Sequence, residues 1–207
     1  MVKIDLKAAR PDLYRPGAKD FTEVLVPPIR YLAVDGHGDP NTAPEYASAV
    51  EALFAVGYSV KFALRGRTGD DIVAGPLEGL WSSPDPTAFA DRRKTQWDWT
   101  MLIPLPDVVS DEDIDAGRAS AAAKKPGVRV ADVRVLDLDE GRCLQIMHIG
   151  SYDEEAPTLS RLHHEVMPAL GVTWNGPHHE IYLGDPRRTP AERLKTVLRQ
   201  PVRPLEG

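Results

Sequence analysis

Leu144-Gln-Ile-Met-His-Ile-Gly-Ser-Tyr-Asp-Glu-Glu-Ala-Pro157 decides the fold, because its plan occurs twice. An alternating stretch ends at a glycine, a short polar loop follows, and Ala-Pro opens an amphipathic helix. Leu32-Ala-Val-Asp-Gly-His-Gly-Asp-Pro-Asn-Thr-Ala-Pro44 repeats that order, with Gly38 and Ala43-Pro44 in place of Gly150 and Ala156-Pro157. Alternation marks a strand, and proline suits the first helical turn, where its missing N–H leaves no bond unmade. Each helix runs to a glycine, Gly57 or Gly171, and two further strand patterns follow. A duplicated strand–helix–strand–strand unit predicts an α+β fold. Its curved antiparallel sheet has two main helices on one side and is free to hold a ligand cleft on the other.

Working outward, residues 1–20 read as an N-terminal arm, and 21–207 as one domain. Within it, repeat one spans about 21–106, an inserted helix about 110–125, and repeat two about 128–203. In repeat one, Tyr46, Val50 and Leu53 form an apolar helix stripe that Gly57 is expected to stop. The alternation of Val60, Phe62 and Leu64 then predicts a strand over 58–64. Further strands cover 76–82 and 96–104, joined by a proline-rich connection around Pro84 and Pro86. Ser110-Asp-Glu-Asp113 starts a helix with acids at its positive end, read as a surface insertion. The stretches 128–138 and 143–149, turning at Gly141, read as a hairpin. In repeat two, Leu159, Leu162, Val166 and Leu170 point inward from a helix whose last turn Pro168 should strain or end. A strand over 179–183, a capping box at Thr189 and a strand over 196–202 complete it.

Composition narrows the partners. The chain of 207 residues has a net charge of −6 and a pI of about 5.5. Its basic groups, Arg92-Arg93-Lys94, Lys124-Lys125 and Arg187-Arg188, read as solvated faces, so no direct nucleic-acid partner is expected. The acidic balance favours cationic ligands. The single cysteine, Cys143, leaves no internal disulfide and no thiolate zinc cluster. His163-His164 and His178-His179 diverge as neighbours, so neither pair chelates a metal. No histidine is marked out as a haem ligand, and no cofactor is expected. The N-terminus is too polar for a signal peptide and no stretch approaches a membrane span, which predicts a cytoplasmic protein without a membrane partner.

The chemistry concentrates in His178-His-Glu-Ile-Tyr-Leu183. Glu180 and Tyr182 leave one face of a strand, about 6–7 Å apart, with His178 beside them. Ile181 and Leu183 are expected to face the helices. By strand geometry alone, the Glu180 face is either a polar outer surface or a pocket wall. Trp97, Trp99 and Met101 likewise share one strand face that suits core or pocket equally, and Trp81 is a third possible flat wall.

Three motifs decide between these readings: Pro76-Leu-Glu-Gly-Leu-Trp81, Trp97-Asp-Trp-Thr-Met101, and His178 to Thr189 continuing into Leu194-Lys-Thr-Val-Leu-Arg-Gln-Pro-Val202. From residue 20 onward the chain resembles the GyrI-like (gyrase-inhibitor-like) small-molecule-binding family, in its stand-alone bacterial branch. The resemblance implies a pocket between the repeats for hydrophobic aromatic or cationic small molecules. Recognition would come from a buried glutamate and aromatic walls. It implies Glu180 and Tyr182 as an acid/base pair, with Trp81, Trp97, Trp99, Met101, His148, Tyr152 and His178 as ligand-binding residues. The implied activity is hydrolytic detoxification of cyclopropane-containing DNA alkylators. The alternative is sequestration of hydrophobic cations without turnover. A third reading, a protein-binding antagonist, needs an exposed interaction patch that the sequence does not mark. No helix-turn-helix signature accompanies the motifs, so a regulator acting alone is not expected.

Overall fold

The computed structural model describes residues 2–85 and 93–205. Pro86 of the proline-rich connection and Arg92 of the first basic group lie outside the described residues. In chain order the elements are β1 Lys3–Ile4, α1 Leu6–Ala9, α2 Pro11–Tyr14, β2 Thr22–Val26, β3 Ile29–His37, α3 Pro44–Thr68, β4 Asp71–Ile72, β5 Leu77–Ser82 and β6 Asp98–Leu105. They continue with α4 Asp111–Lys124, β7 Arg134–Leu138, β8 Gly141–Ile149, α5 Ala156–Arg161, α6 Met167–Ala169, β9 Val172–Trp174, β10 His178–Tyr182 and β11 Lys195–Pro204. Two compact units result: Met1–Ala9 with Ile29–Leu138, and Arg10–Pro28 with Asp139–Gly207.

The first unit is an antiparallel sheet in the order β5-β6-β3-β7, with α3 on one face. Gly57 does not stop α3. A Cβ there would lie 3.6 Å from Ile103 Cδ1 and 3.8 Å from Leu32 Cδ1, ordinary contact distances, so Gly57 sits against the sheet within a continuous helix. The expected strand over 58–64 is therefore helix. Val60 and Leu64 extend the buried stripe of Ala49, Ala52, Leu53 and Val56, while Phe62 points outward. Residues 60 and 64 are four apart, so a spacing read as alternation also fits a helical face. The stop is Gly69, at φ 77°, whose N–H donates to the Arg65 carbonyl. At 25 residues, α3 is also long and apolar enough to cross a membrane, a length that the strand reading concealed. Its buried stripe makes it a core helix of this unit.

Two further expectations change here. The helix α4 is not a surface insertion but a second layer over α3, with Ile114 and Ala121 buried. A Cβ on Gly117 would come within 2.5 Å of Val60 Cγ2 and 2.8 Å of its backbone nitrogen, so only glycine permits this approach. The hairpin read across Gly141 does not form either. Strand β7 pairs with β3, Leu32 opposite Val135, whereas β8 pairs with β2 and β11. Apolar burial and charge both draw β7 to β3. Leu136 and Leu138 pack on Tyr31, Ala33, Leu80 and Leu102, and the Arg134 guanidinium donates twice to Asp35, at 2.7 and 2.9 Å.

The second unit is antiparallel in the order β2-β8-β11-β10, with β9 on the far end of β11. Its helical face buries Leu144, Leu162, Met167, Val172 and Val202. Its other face carries a buried polar network. His179 Nδ1 lies 3.0 Å from Glu140, Arg199 Nη1 is 3.3 Å from Glu140, and Arg199 Nη2 donates to the Leu13 carbonyl at 2.8 Å. Gln145 donates to the Asp12 carbonyl at 2.6 Å, so the two strands clasp α2 by its backbone. Pro168 acts upstream of its own position. It has no N–H for the carbonyl four residues back, and the helix widens there into a π turn, Leu162–Val166, with the Met167 N–H reaching Leu162 O.

Candidate functional site

Strand register assembles the site within the second unit. Glu180 lies opposite Leu198, Tyr182 opposite Thr196, and Thr196 opposite His148. Directly opposed residues share a face, so Glu180, Tyr182, Thr196 and His148 point the same way. Leu144 and Val202 belong to that same face, and they pack under the helix. The expectation for Ile181 is thus reversed: it is fully buried on the opposite face with His179 and Arg199, and Glu180 is on the helix side. This brings in Glu155, the residue just before α5, which the sequence reading did not single out. Its one sequence signal was its place before Ala156-Pro157, where the first repeat has Thr42.

Glu180 accepts a hydrogen bond from the Tyr182 hydroxyl at 2.8 Å. The phenol therefore steadies the carboxylate rather than waiting free for a ligand. The Tyr152 ring meets the Tyr182 ring edge-on, with centroids 5.5 Å apart, and Tyr152 is 40% exposed, so it forms the open rim. Burial, with the charges of Glu155 and Glu180, pushes the Tyr152 phenol up to about 12, and it stays protonated. His148 is spent on the turn, its Nε2 3.0 Å from the Ser151 carbonyl. Ser151 and Glu154 complete that turn as a capping box.

Glu155 differs in kind from the carboxylates around it. Only 4% of it is exposed, and its Oε1 meets no hydrogen-bond partner. Burial first, and then the neighbouring Glu180 charge, push it up to about 9, so at neutral pH it is a carboxylic acid. The Thr196 hydroxyl lies beside it, yet its Oγ1 also lacks a partner of good geometry. One neutral acid, one phenol-held glutamate and an unmatched hydroxyl thus converge at the N-terminal end of α5. Such buried, unsatisfied polar atoms are what a bound polar group or water would complete.

His178 shares the strand face but belongs to its far end. Burial and the neighbouring His163 hold its imidazole down to about 3, so it is neutral, and the 3.7 Å approach of Nε2 to Glu180 is no ion pair. Among the described residues, no group of three or more His, Cys, Asp or Glu could hold a metal.

Trp81, Trp97, Trp99 and Met101 belong to the first unit, whereas His148, Tyr152, His178, Glu180 and Tyr182 belong to the second. Aligning the repeats on Gly38 and Gly150 explains the difference. Gly36, opposite Trp99, corresponds to His148, opposite Thr196. Trp81, opposite Trp99, corresponds to Tyr182, opposite Thr196, and Gly79 to Glu180. A Cβ on Gly36 would be 2.0 Å from the Trp99 ring, and one on Gly79 2.9 Å from the Trp81 Nε1, so both glycines make room for indoles. Tyr46 stacks near Trp81 and meets Trp99 edge-on at 5.2 Å. The position that is polar in repeat two is filled with aromatic rings in repeat one.

Residues 19–203 match the GyrI-like small molecule binding domain. Among solved structures, a conserved protein of uncharacterised function from Listeria innocua is 36% identical, with a TM-score of 0.88, covering 97% of this chain and 100% of its own. Two hydrolases from Listeria innocua are 35% and 34% identical, with TM-scores of 0.83 and 0.86 and the same coverage. No curated protein matches the chain.

Proposed function

The chain belongs to the GyrI-like small-molecule-binding family, and we propose that it is a hydrolase acting on hydrophobic aromatic electrophiles such as cyclopropane-containing DNA alkylators. The observation that carries the reading is the Glu180 carboxylate held by the Tyr182 hydroxyl at 2.8 Å on a half-buried strand face. A carboxylate fixed in this way suits general-base work on a water molecule. The water oxygen attacks the strained ring carbon as Glu180 takes its proton. The ring C–C bond breaks, and its electron pair passes into the conjugated carbonyl, whose oxygen becomes anionic. Tyr182 acts here as the residue that orients Glu180, and the rings of Tyr152 and Tyr182 offer an aromatic wall. The two similar hydrolases support a hydrolytic reading.

A second reading is sequestration of hydrophobic cations. It is favoured by the same pairing of a carboxylate with the edge-on Tyr152 and Tyr182 rings, which would attract a cationic aromatic compound without turnover. Incubating the protein with a spirocyclopropyl dienone alkylator separates the two, with mass spectrometry following addition of one water. Turnover abolished by Glu180→Gln is the expected result. Saturable binding with no product, or turnover undiminished in Glu180→Gln, overturns the hydrolytic assignment.

A further inference from the structure

Ring opening by water leaves one proton to place. Glu180 gains a proton from water, while the substrate carbonyl oxygen gains an electron pair and needs a proton to become a stable phenol. Tyr182 is committed to Glu180 through its hydroxyl. The Tyr152 hydroxyl sits on an exposed rim residue. His148 faces the Ser151 carbonyl. Glu155 remains, with a buried Oε1 that no protein group occupies and the Thr196 hydroxyl alongside, equally unmatched.

We propose that Glu155 is the acid of this site, delivering its carboxyl proton to the oxygen that becomes anionic as Glu180 takes a proton from the attacking water. The inference rests on the hydrolytic reading above. The balance closes within the pair. Bond formation between water oxygen and ring carbon, and cleavage of the ring C–C bond, leave Glu180 protonated and Glu155 ionised. Transfer of one proton from Glu180 to Glu155, directly or through a water, restores the starting state. The site therefore carries one negative charge shared by two carboxyl groups at every stage, the arrangement that makes a pair of buried acids useful for acid–base chemistry.

The surroundings agree with a neutral Glu155. Glu180 from β10 and Asp153 from its own turn oppose its ionisation, Tyr152 lies close enough to feel its charge, and the Thr196 hydroxyl on β11 pulls the other way without overcoming burial. No lysine or arginine is among them. Acid residues elsewhere in the chain are treated differently: Asp113 is held down to about 2 by Arg67, and Asp185 to about 2 by Arg187. A glutamate buried beside another carboxylate and deprived of a cation is arranged to keep its proton.

Two measurements on the full chain test this, with Glu155→Gln as the shape-preserving variant. Difference infrared spectroscopy at pH 7 should show a protonated carboxyl band that Glu155→Gln removes. If the wild type lacks that band, Glu155 is ionised and the proposal is overturned, whether or not the dienone is turned over. The pH profile of kcat with the same spirocyclopropyl dienone should fall at high pH as Glu155 loses its proton. Glu155→Gln should lower kcat about 100-fold or more and abolish that limb, while probe affinity changes less than about threefold. Glu155→Asp should recover part of kcat. A wild type that opens the dienone no faster than Glu155→Gln does overturns the donor role alone. A wild type that binds the dienone without opening it overturns the hydrolytic reading and the donor role with it.

Discussion

Glu155→Gln should make the protein more stable, and increasingly so as pH rises. Folding lifts this carboxyl from an ordinary 4.5 to about 9, through burial and the Glu180 charge. A group whose folded pKa lies above its unfolded value contributes its stability fully below 4.5 and loses it as pH rises through 9. Across that window the unfolded chain has released a proton that the folded protein retains. Wild-type stability therefore falls by about 1.4 kcal/mol per pH unit from this group. At pH 7 the accumulated cost is about 3 kcal/mol, and between pH 5.5 and 7.5 it changes by about 2–3 kcal/mol. Glutamine keeps the shape and the neutral charge but has no proton to lose, so the variant escapes this slope. Urea unfolding followed by far-UV circular dichroism at the two pH values gives the difference directly, because other titrating groups cancel between wild type and variant. A wild-type-minus-variant difference that stays constant within about 0.5 kcal/mol would refute the buried, protonated state of Glu155.

Other outcomes follow from the same geometry. Tyr182→Phe removes the bond that orients Glu180 and should lower kcat about 10-fold or more at nearly unchanged KM for the dienone, read from steady-state kinetics. Arg199→Met strips the Glu140–His179 pair of its guanidinium and the Leu13 carbonyl of its donor. It should cost about 3–5 kcal/mol, measured as lost hydrogen-exchange protection in β10 and β11. The same cluster sets an acid limit. Burial alone would raise Glu140, but His179 and Arg199 hold it down to about 2, so the stability it contributes is present above 4.5 and lost as pH falls towards 2. Cys143 is buried and pushed up to about 12, so a thiol reagent should label it only as fast as the second unit opens. Gly117→Val should lower Tm by several degrees, since its side chain would meet Val60 in both side chain and backbone.

The repeat was legible because glycines and Ala-Pro pairs punctuate both copies at matching places. The end of α3 was not legible, because Gly57 lies inside the helix against Leu32 and Ile103, and a glycine within a helix looks the same in sequence as one used for a stop. The partner of β7 was hidden for a related reason. Chain proximity suggested β8, whereas apolar burial against Tyr31 and Leu102 and the ion pair to Asp35 favoured β3. Within the site, the shared face of Glu180 and Tyr182 followed from strand period alone. Which side of the sheet that face looked to required the partners of β10, because alternation fixes two faces without saying which one a helix covers. Glu155 was unreadable as a site residue because its importance comes from burial next to Glu180, a long-range relation between residues 25 apart in sequence.

The pairing of β2 with β8 has a consequence for biosynthesis. Residues 10–28 leave the ribosome before any of the chain from 29 to 138, yet they belong to the unit whose remaining strands begin after residue 138. At about 5–20 residues per second, the nascent β2 waits on the order of ten seconds for its partner. During that interval residues 29–138 can fold with Met1–Ala9 into the first unit, as a segment inserted between the two parts of the second. A stretch with an unpaired edge and an apolar Val24 and Val26 is what chaperones recognise and what stray strands join. The arrangement also dictates how the protein can be cut: a fragment ending at residue 138 keeps a strand without a mate, whereas a permuted chain starting at residue 139 would deliver the second unit's later strands first.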